Sequence, residues 1–167
     1  MITIAAESHG HSIPTEELGP YTNDDFVTVE AAVFGPPTAK LQLTPDDFSL
    51  RINGKKNAAM SQSYLMVWHS LKDPSWEPPQ NDVKSKTSLN TGGGGQDDSL
   101  PPIIHMPPEM RHAMEQRVQK ASFPEGERAL PQSGLLYFEY HGQTKGIRSM
   151  ELLYAGPAGK AALALRP

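Results

Sequence analysis

The side chains best suited to chemistry sit in one short run, His105-Met106-Pro107-Pro108-Glu109-Met110-Arg111-His112-Ala113-Met114. Imidazole and thioether ligands together suit Cu(I), a soft ion. The spacing complicates that reading. On a helix Met110 and Met114 stand one turn apart and share a face, whereas His112 lies about 200° from Met110. An apolar stripe that packs on a sheet, with Met filling the gaps, explains Met110 and Met114 more simply. A copper-handling site made of His105, Met106, Met110, His112 and Met114 is the competing expectation.

Other candidates are thinner. His9-Gly10-His11 offers two imidazoles on an N-terminal arm, too few ligands for a firm transition-metal site. The pairs Asp24-Asp25, Asp46-Asp47 and Asp97-Asp98 lack the spacing of a calcium loop, and Asp46 is expected to cap the turn at Pro45. No Gly-x-Ser-x-Gly elbow is present, and Gly92–Gly95 lacks the Lys-Ser/Thr of a phosphate-binding loop. The chain has no cysteine, which excludes disulfides, Cys-ligated zinc, iron–sulfur clusters and a thiol nucleophile. No catalytic constellation stands out, so we expect a non-enzyme without cofactors.

The two tryptophans read differently. Trp68 lies in the apolar run Tyr64–Leu71 and is expected in the core. Trp76 lies among Pro74, Pro78 and Pro79. An aromatic held by prolines serves as a partner-binding anchor or as a lid over an open end; the lid is the commoner case.

Composition narrows the partners. A net charge of −4 without a basic stripe leaves no electrostatic footprint for nucleic acid or anionic membranes. No apolar run approaches the roughly 20 residues of a membrane span. The segment Met1–Glu7 lacks the basic and apolar regions of a signal peptide. Export would therefore need a leader absent from this chain. The lack of cysteine fits a secreted bacterial protein, and some cytosolic proteins lack it too.

The elements that must position these residues are mostly strands. Residues 1–25 read as an extended arm with a short strand near its start. Val27, Val29, Ala31 and Val33 alternate with polar neighbours over Phe26–Phe34, a strand pattern. Lys40–Thr44 alternates again. Phe48, Leu50 and Ile52 define a third strand, and Asn53-Gly54 behind it marks a tight turn with positive φ. Tyr64–Leu71 is strand or short helix. Residues 73–130 form a long insertion: a Pro/Gly-rich tract, expected to be flexible over 80–100, then a helix over 108–121 started by Pro108. Gly134–Tyr140, Ile147–Tyr154 and Ala161–Leu165 are strands.

Strands with one dry face, and no regular βαβ alternation, predict two antiparallel sheets packed face to face. The run Leu43-Thr44-Pro45-Asp46-Asp47-Phe48-Ser49-Leu50-Arg51-Ile52-Asn53-Gly54-Lys55, together with Val27–Val33, resembles the opening of bacterial immunoglobulin-like domains of unknown function. Those occur in secreted proteins and lipoproteins. Gly134–Phe138, Ile147–Leu152 and Gly159-Lys160 resemble their end. The resemblance covers about half the chain and carries no catalytic residue. It implies a single mostly β domain over 1–167, an immunoglobulin-like antiparallel β-sandwich with a long insertion and one short α-helix. It further implies a non-enzymatic interaction or structural module of the bacterial cell envelope, outside the cytoplasm, whose partner is another envelope protein. A periplasmic copper-handling protein is the alternative.

Overall fold

The computed structural model describes residues 1–16, 20–72, 76 and 105–167. Its strands are β1 (Thr3–Gly10), β2 (Ser12–Ile13), β3 (Tyr21–Thr22), β4 (Phe26–Phe34), β5 (Lys40–Leu43), β6 (Phe48–Ile52) and β7 (Ala59–Gln62), then β8 (Gly126–Ala129), β9 (Gln132–Glu139), β10 (Met150–Gly156) and β11 (Gly159–Leu165). Between β7 and β8 lie helices α1 (Tyr64–Val67) and α2 (Pro108–Ala121). A 3₁₀ turn over Trp68–Ser70 continues α1.

Seven strands form one sheet in the order β1-β4-β9-β7-β6-β10-β11. Every neighbouring pair is antiparallel. The sheet curls until β1 and β11 approach each other, which makes it a nearly closed barrel. Because seven is odd and each strand reverses its neighbour, β1 and β11 run in the same direction. No ladder joins them. The alternation predicts two facing sheets. A single sheet curled on itself buries the same one-sided strands and leaves fewer free edges.

The barrel interior is the main core. Val27, Val29, Ala31 and Val33 of β4 meet Leu136 and Phe138 of β9, Phe48, Leu50 and Ile52 of β6, and Met150, Leu152 and Tyr154 of β10. Leu43, Phe123, Leu130 and Ile147 belong to the same cluster from outside the seven strands. A second core lies on the outer face, where Phe26, Leu135 and Tyr137 meet Ile13, Tyr21, Val67, Leu71, Met114 and Val118.

Several elements match the sequence pattern. α2 spans Pro108–Ala121, with Pro108 in its first turn. Asn53 and Gly54 take φ of 53° and 65°, as a tight turn requires, and Lys55 N–H donates to Ile52 C=O at 3.2 Å. Other elements differ. Residues 3–10 are not a loose arm but a full edge strand paired with β4 from Thr3↔Phe34 onward; small Ala5 and Ala6 hide its alternation. Of the run Tyr64–Leu71, residues 64–70 are helical, started by Ser63, whose Oγ accepts from Leu65 N–H at 3.3 Å. Trp68 is half-buried at the rim of the second core rather than inside it. At Pro45 the cap is Thr44, whose Oγ1 accepts from Asp46 N–H at 3.2 Å, so Asp46 is the capped residue and not the cap.

Among the described residues, the buried hydroxyls of Thr28 and Ser61 have no hydrogen-bond partner. A buried polar group without a bond costs stability. Thr28→Val removes that group at similar shape and is expected to leave stability unchanged or raise it by about 1 kcal/mol. Leu152→Ala, which empties a fully buried position in the barrel, is expected to cost about 2–5 kcal/mol. Denaturant midpoints of the two variants check both.

Candidate functional site

The outer face is where α2, α1 and the β2–β3 hairpin cover the barrel, and its construction starts with α2. Glu109 in the first turn and Lys120 in the last complement the helix dipole. Met114 and Val118 are buried and seat the helix on Leu135 and Tyr137 of β9. At the C-terminal end Ser122 Oγ donates to Val118 C=O at 2.7 Å, and so accepts from the Tyr137 hydroxyl at 2.9 Å. Burial pushes the Tyr137 phenol up to about 12. Arg117 Nη1 donates to the Tyr21 hydroxyl at 3.1 Å and ties α2 to the hairpin.

Where α1 adjoins α2, apolar side chains face solvent. Leu65 is 50% exposed and Met66 63%. On the 3₁₀ turn that continues α1, the centre of the Trp68 ring stands 5.3 Å from the Arg111 guanidinium carbon, within cation–π range. The His69 ring packs against Trp68 with centroids 4.0 Å apart and planes at 30°. Exposed Leu65 and Met66 thus lead along one helical segment into a Trp–Arg contact, an uncommon combination for a surface. Trp and Arg dominate the energetics of protein–protein contacts, and Met is enriched there.

On the other side of α2, Arg117, Lys120 and Ala121 face Pro14, Glu16 and Leu135 across a groove of about 360 Å³. Its charges are internally engaged: Lys120 Nζ lies 3.3 Å from Glu16 Oε2, and Glu30 Oε2 lies 3.2 Å from His9 Nε2.

The structure separates the His/Met run. Met114 is 3% exposed within the second core. Met106 is half-buried against the same core and Met110 is half-buried. His105 and His112 are exposed. His112 Nε2 accepts from the Gln116 side-chain amide at 3.0 Å, and its Nδ1 lies 3.9 Å from Glu115. The apolar-stripe reading thus accounts for Met114, while His112 faces away from it. Among the described residues no group of three His, Asp or Glu side chains is placed to hold a metal ion. Trp76 is half-buried. The tract at 80–100 and Asp97-Asp98 lie outside the described residues.

The remaining acidic pairs have local partners. Asp24 pairs with Lys72, whose bond and charge hold its carboxyl below the usual range. Asp25 reaches His141 at 3.1 Å. Burial raises the Asp47 carboxyl, and neighbouring Asp46 adds to the effect. The Arg111–Trp68 contact left no trace in the sequence, because the two residues belong to separate elements. Leu65 and Met66 did leave one, but an apolar run reads as core unless its neighbours are known. No family model, curated protein or solved structure matches this chain.

Because His112 and Met114 point apart, adding Cu(I) or Zn²⁺ is expected to leave the melting temperature unchanged and to show no tight one-to-one site. A tight site abolished by His112→Ala would mean that residues 105–114 rearrange around the ion.

Proposed function

We propose that this chain is a non-enzymatic, immunoglobulin-like interaction module of the bacterial cell envelope, and that it meets a partner protein where α1 adjoins α2. The observation that carries the reading is the solvent-facing pair Leu65 and Met66 on α1, whose continuing turn carries the Trp68–Arg111 contact. A flexible, adaptable Met and an Arg-backed aromatic are side chains that repay burial by a second surface. Trp76 is assigned to the same partner-facing role as an aromatic set among Pro74, Pro78 and Pro79.

The immunoglobulin-like part rests on the resemblance of the two ends of the chain and on the antiparallel pairing of their strands. The open seam between β1 and β11 supports it too. A barrel without its last ladder can flatten toward two facing layers, which is the sandwich arrangement. The envelope location rests on that resemblance and on the cysteine-free sequence.

Site-specific photo-crosslinking from position 66 in living cells tests the interface. A discrete protein adduct is expected from position 66 and none from position 55, which lies in the exposed turn after β6. The adduct is expected to disappear with Arg111→Glu. Both Leu65→Asp and Met66→Asp are expected to shift folding stability by no more than about 0.5 kcal/mol, as surface changes do. Adducts of equal yield from both positions, or none from position 66, would overturn the assignment. Protease accessibility of the chain in intact and permeabilised cells tests the location.

A further inference from the structure

One corner of the barrel is held by two imidazoles. β1 leaves the sheet at a bulge, where the register shifts between Ser8 and Gly10. Gly10 takes φ 59° there, a conformation that favours glycine. His11 follows at the crossing from barrel to hairpin. Its Nδ1 lies 2.8 Å from the Phe26 carbonyl oxygen and its Nε2 lies 2.7 Å from the Gly142 carbonyl oxygen. Its ring stacks on Tyr140, with centroids 6.1 Å apart and planes at 24°. One side chain therefore joins the N-terminal crossing, the start of β4 and the loop after β9.

Carbonyl oxygens accept and never donate. A neutral imidazole has one N–H and one lone pair. Both His11 bonds coexist only when the ring carries two protons. In the neutral ring, one nitrogen lone pair would face a carbonyl lone pair at hydrogen-bond distance.

His141 borders the same cleft of about 520 Å³, with Asp24, Gln143, Thr144 and Lys145. Its Nε2 lies 2.8 Å from Glu139 Oε1 and its Nδ1 3.1 Å from Asp25 Oδ1. The Glu139 bond first, and the Asp25 bond next, hold this ring above the ordinary histidine range. The charged and titratable groups around the two rings come from every adjoining segment. Asp24, engaged by Lys72, and Asp25 precede β4. Glu139 ends β9, Tyr140 follows it, and Lys145 lies in the loop beyond. Farther along β1, His9 is paired with Glu30.

We propose that the His11–His141 corner is a protonation-dependent clasp that holds the β2–β3 hairpin on the barrel. It is closed while both rings carry two protons and loosens when His11 gives one up. The hairpin matters because it covers the second core: Ile13 and Tyr21 are both fully buried. The clasp also grips the hairpin's far end. Asn23 N–H donates to the His11 carbonyl at 3.1 Å. The Asn23 Oδ1 accepts from the backbone N–H of Asp25 at 3.1 Å and of Phe26 at 2.6 Å. Loosening the corner would free the edge of the seat on which α2 rests.

The sign is fixed by the bonds. For His141, whose folded value is raised, the contribution is complete below the ordinary value of about 6.5 and is lost as pH rises through the higher folded value. For His11 the count of donors gives the same direction: deprotonation removes one of two bonds. The hairpin is therefore held more tightly in acid than at alkaline pH.

Nitrogen-detected NMR of the imidazole rings in the full chain tests this directly, with amide exchange of Thr22 and Asn23 as the second readout. Both His11 nitrogens are expected to carry protons while the two carbonyl bonds are in place. Exchange at Thr22 and Asn23, corrected for its intrinsic pH dependence, is expected to speed up by as much as roughly tenfold per pH unit as the rings deprotonate. Amides of Leu50 and Leu152 are expected not to follow. His11→Gln, with a single donating nitrogen, is expected to flatten the response, and His141→Gln to reduce it. A His11 ring that holds one proton throughout the range would overturn the clasp, whether or not the variants fold. So would an undiminished response in His11→Gln.

Discussion

β9 is buried on both faces, and that constraint places most of the other elements. Leu136 and Phe138 point into the barrel, while Leu135 and Tyr137 point outward under α2. Each such side chain is worth about 1.5–3 kcal/mol when removed from water, so neither face can be left wet. Curling the sheet covers one face. The other face requires a lid, supplied by α2, α1 and the hairpin. Gly134 shows how closely the lid is drawn down. A Cβ at that position would lie 2.5 Å from the Phe123 backbone, and Phe123 N–H donates to the Leu135 carbonyl at 2.9 Å. The segment that leaves α2 thus rests on the strand that α2 covers.

The sequence reveals this fold where period or turn chemistry is local. The β-branched alternation of Val27, Val29 and Val33 identifies β4, Phe48, Leu50 and Ile52 identify β6, and Asn53-Gly54 identifies its turn. The unbroken Leu135-Leu136-Tyr137-Phe138 is the signature of a strand dry on both sides, though period two alone credits it with one dry face. β7, Ala59-Met60-Ser61-Gln62, has no apolar alternation to read, because its inward residue is Ser61, paired with Phe138. β8 is largely exposed and is a strand through its pairing with β5. Curling is a property of seven strands together, and no single segment encodes it.

The candidate surface was legible only in part. The Met stripe of α2 could be read from spacing, and it explains Met114. Trp68 reads as core from its apolar neighbours, yet it stands half-buried at the rim of the second core. The asparagines are harder still. Asn53 signals a turn, but its side chain also binds the backbone before β10, accepting from Arg148 N–H at 2.6 Å and donating to Gly146 C=O at 2.8 Å. Asn23 does comparable work at the hairpin. Such bonds join residues far apart in the chain, and composition carries no trace of them.

The odd strand count has a mechanical consequence. Since β1 and β11 run in the same direction, the start of one and the finish of the other lie at opposite ends of the barrel. A force drawing those two points apart acts along the strands rather than across them. It would load the β1–β4 and β10–β11 ladders in shear, where many backbone bonds resist together instead of opening one after another. The missing ladder at the seam thus leaves the barrel open to bending while its long axis carries tension.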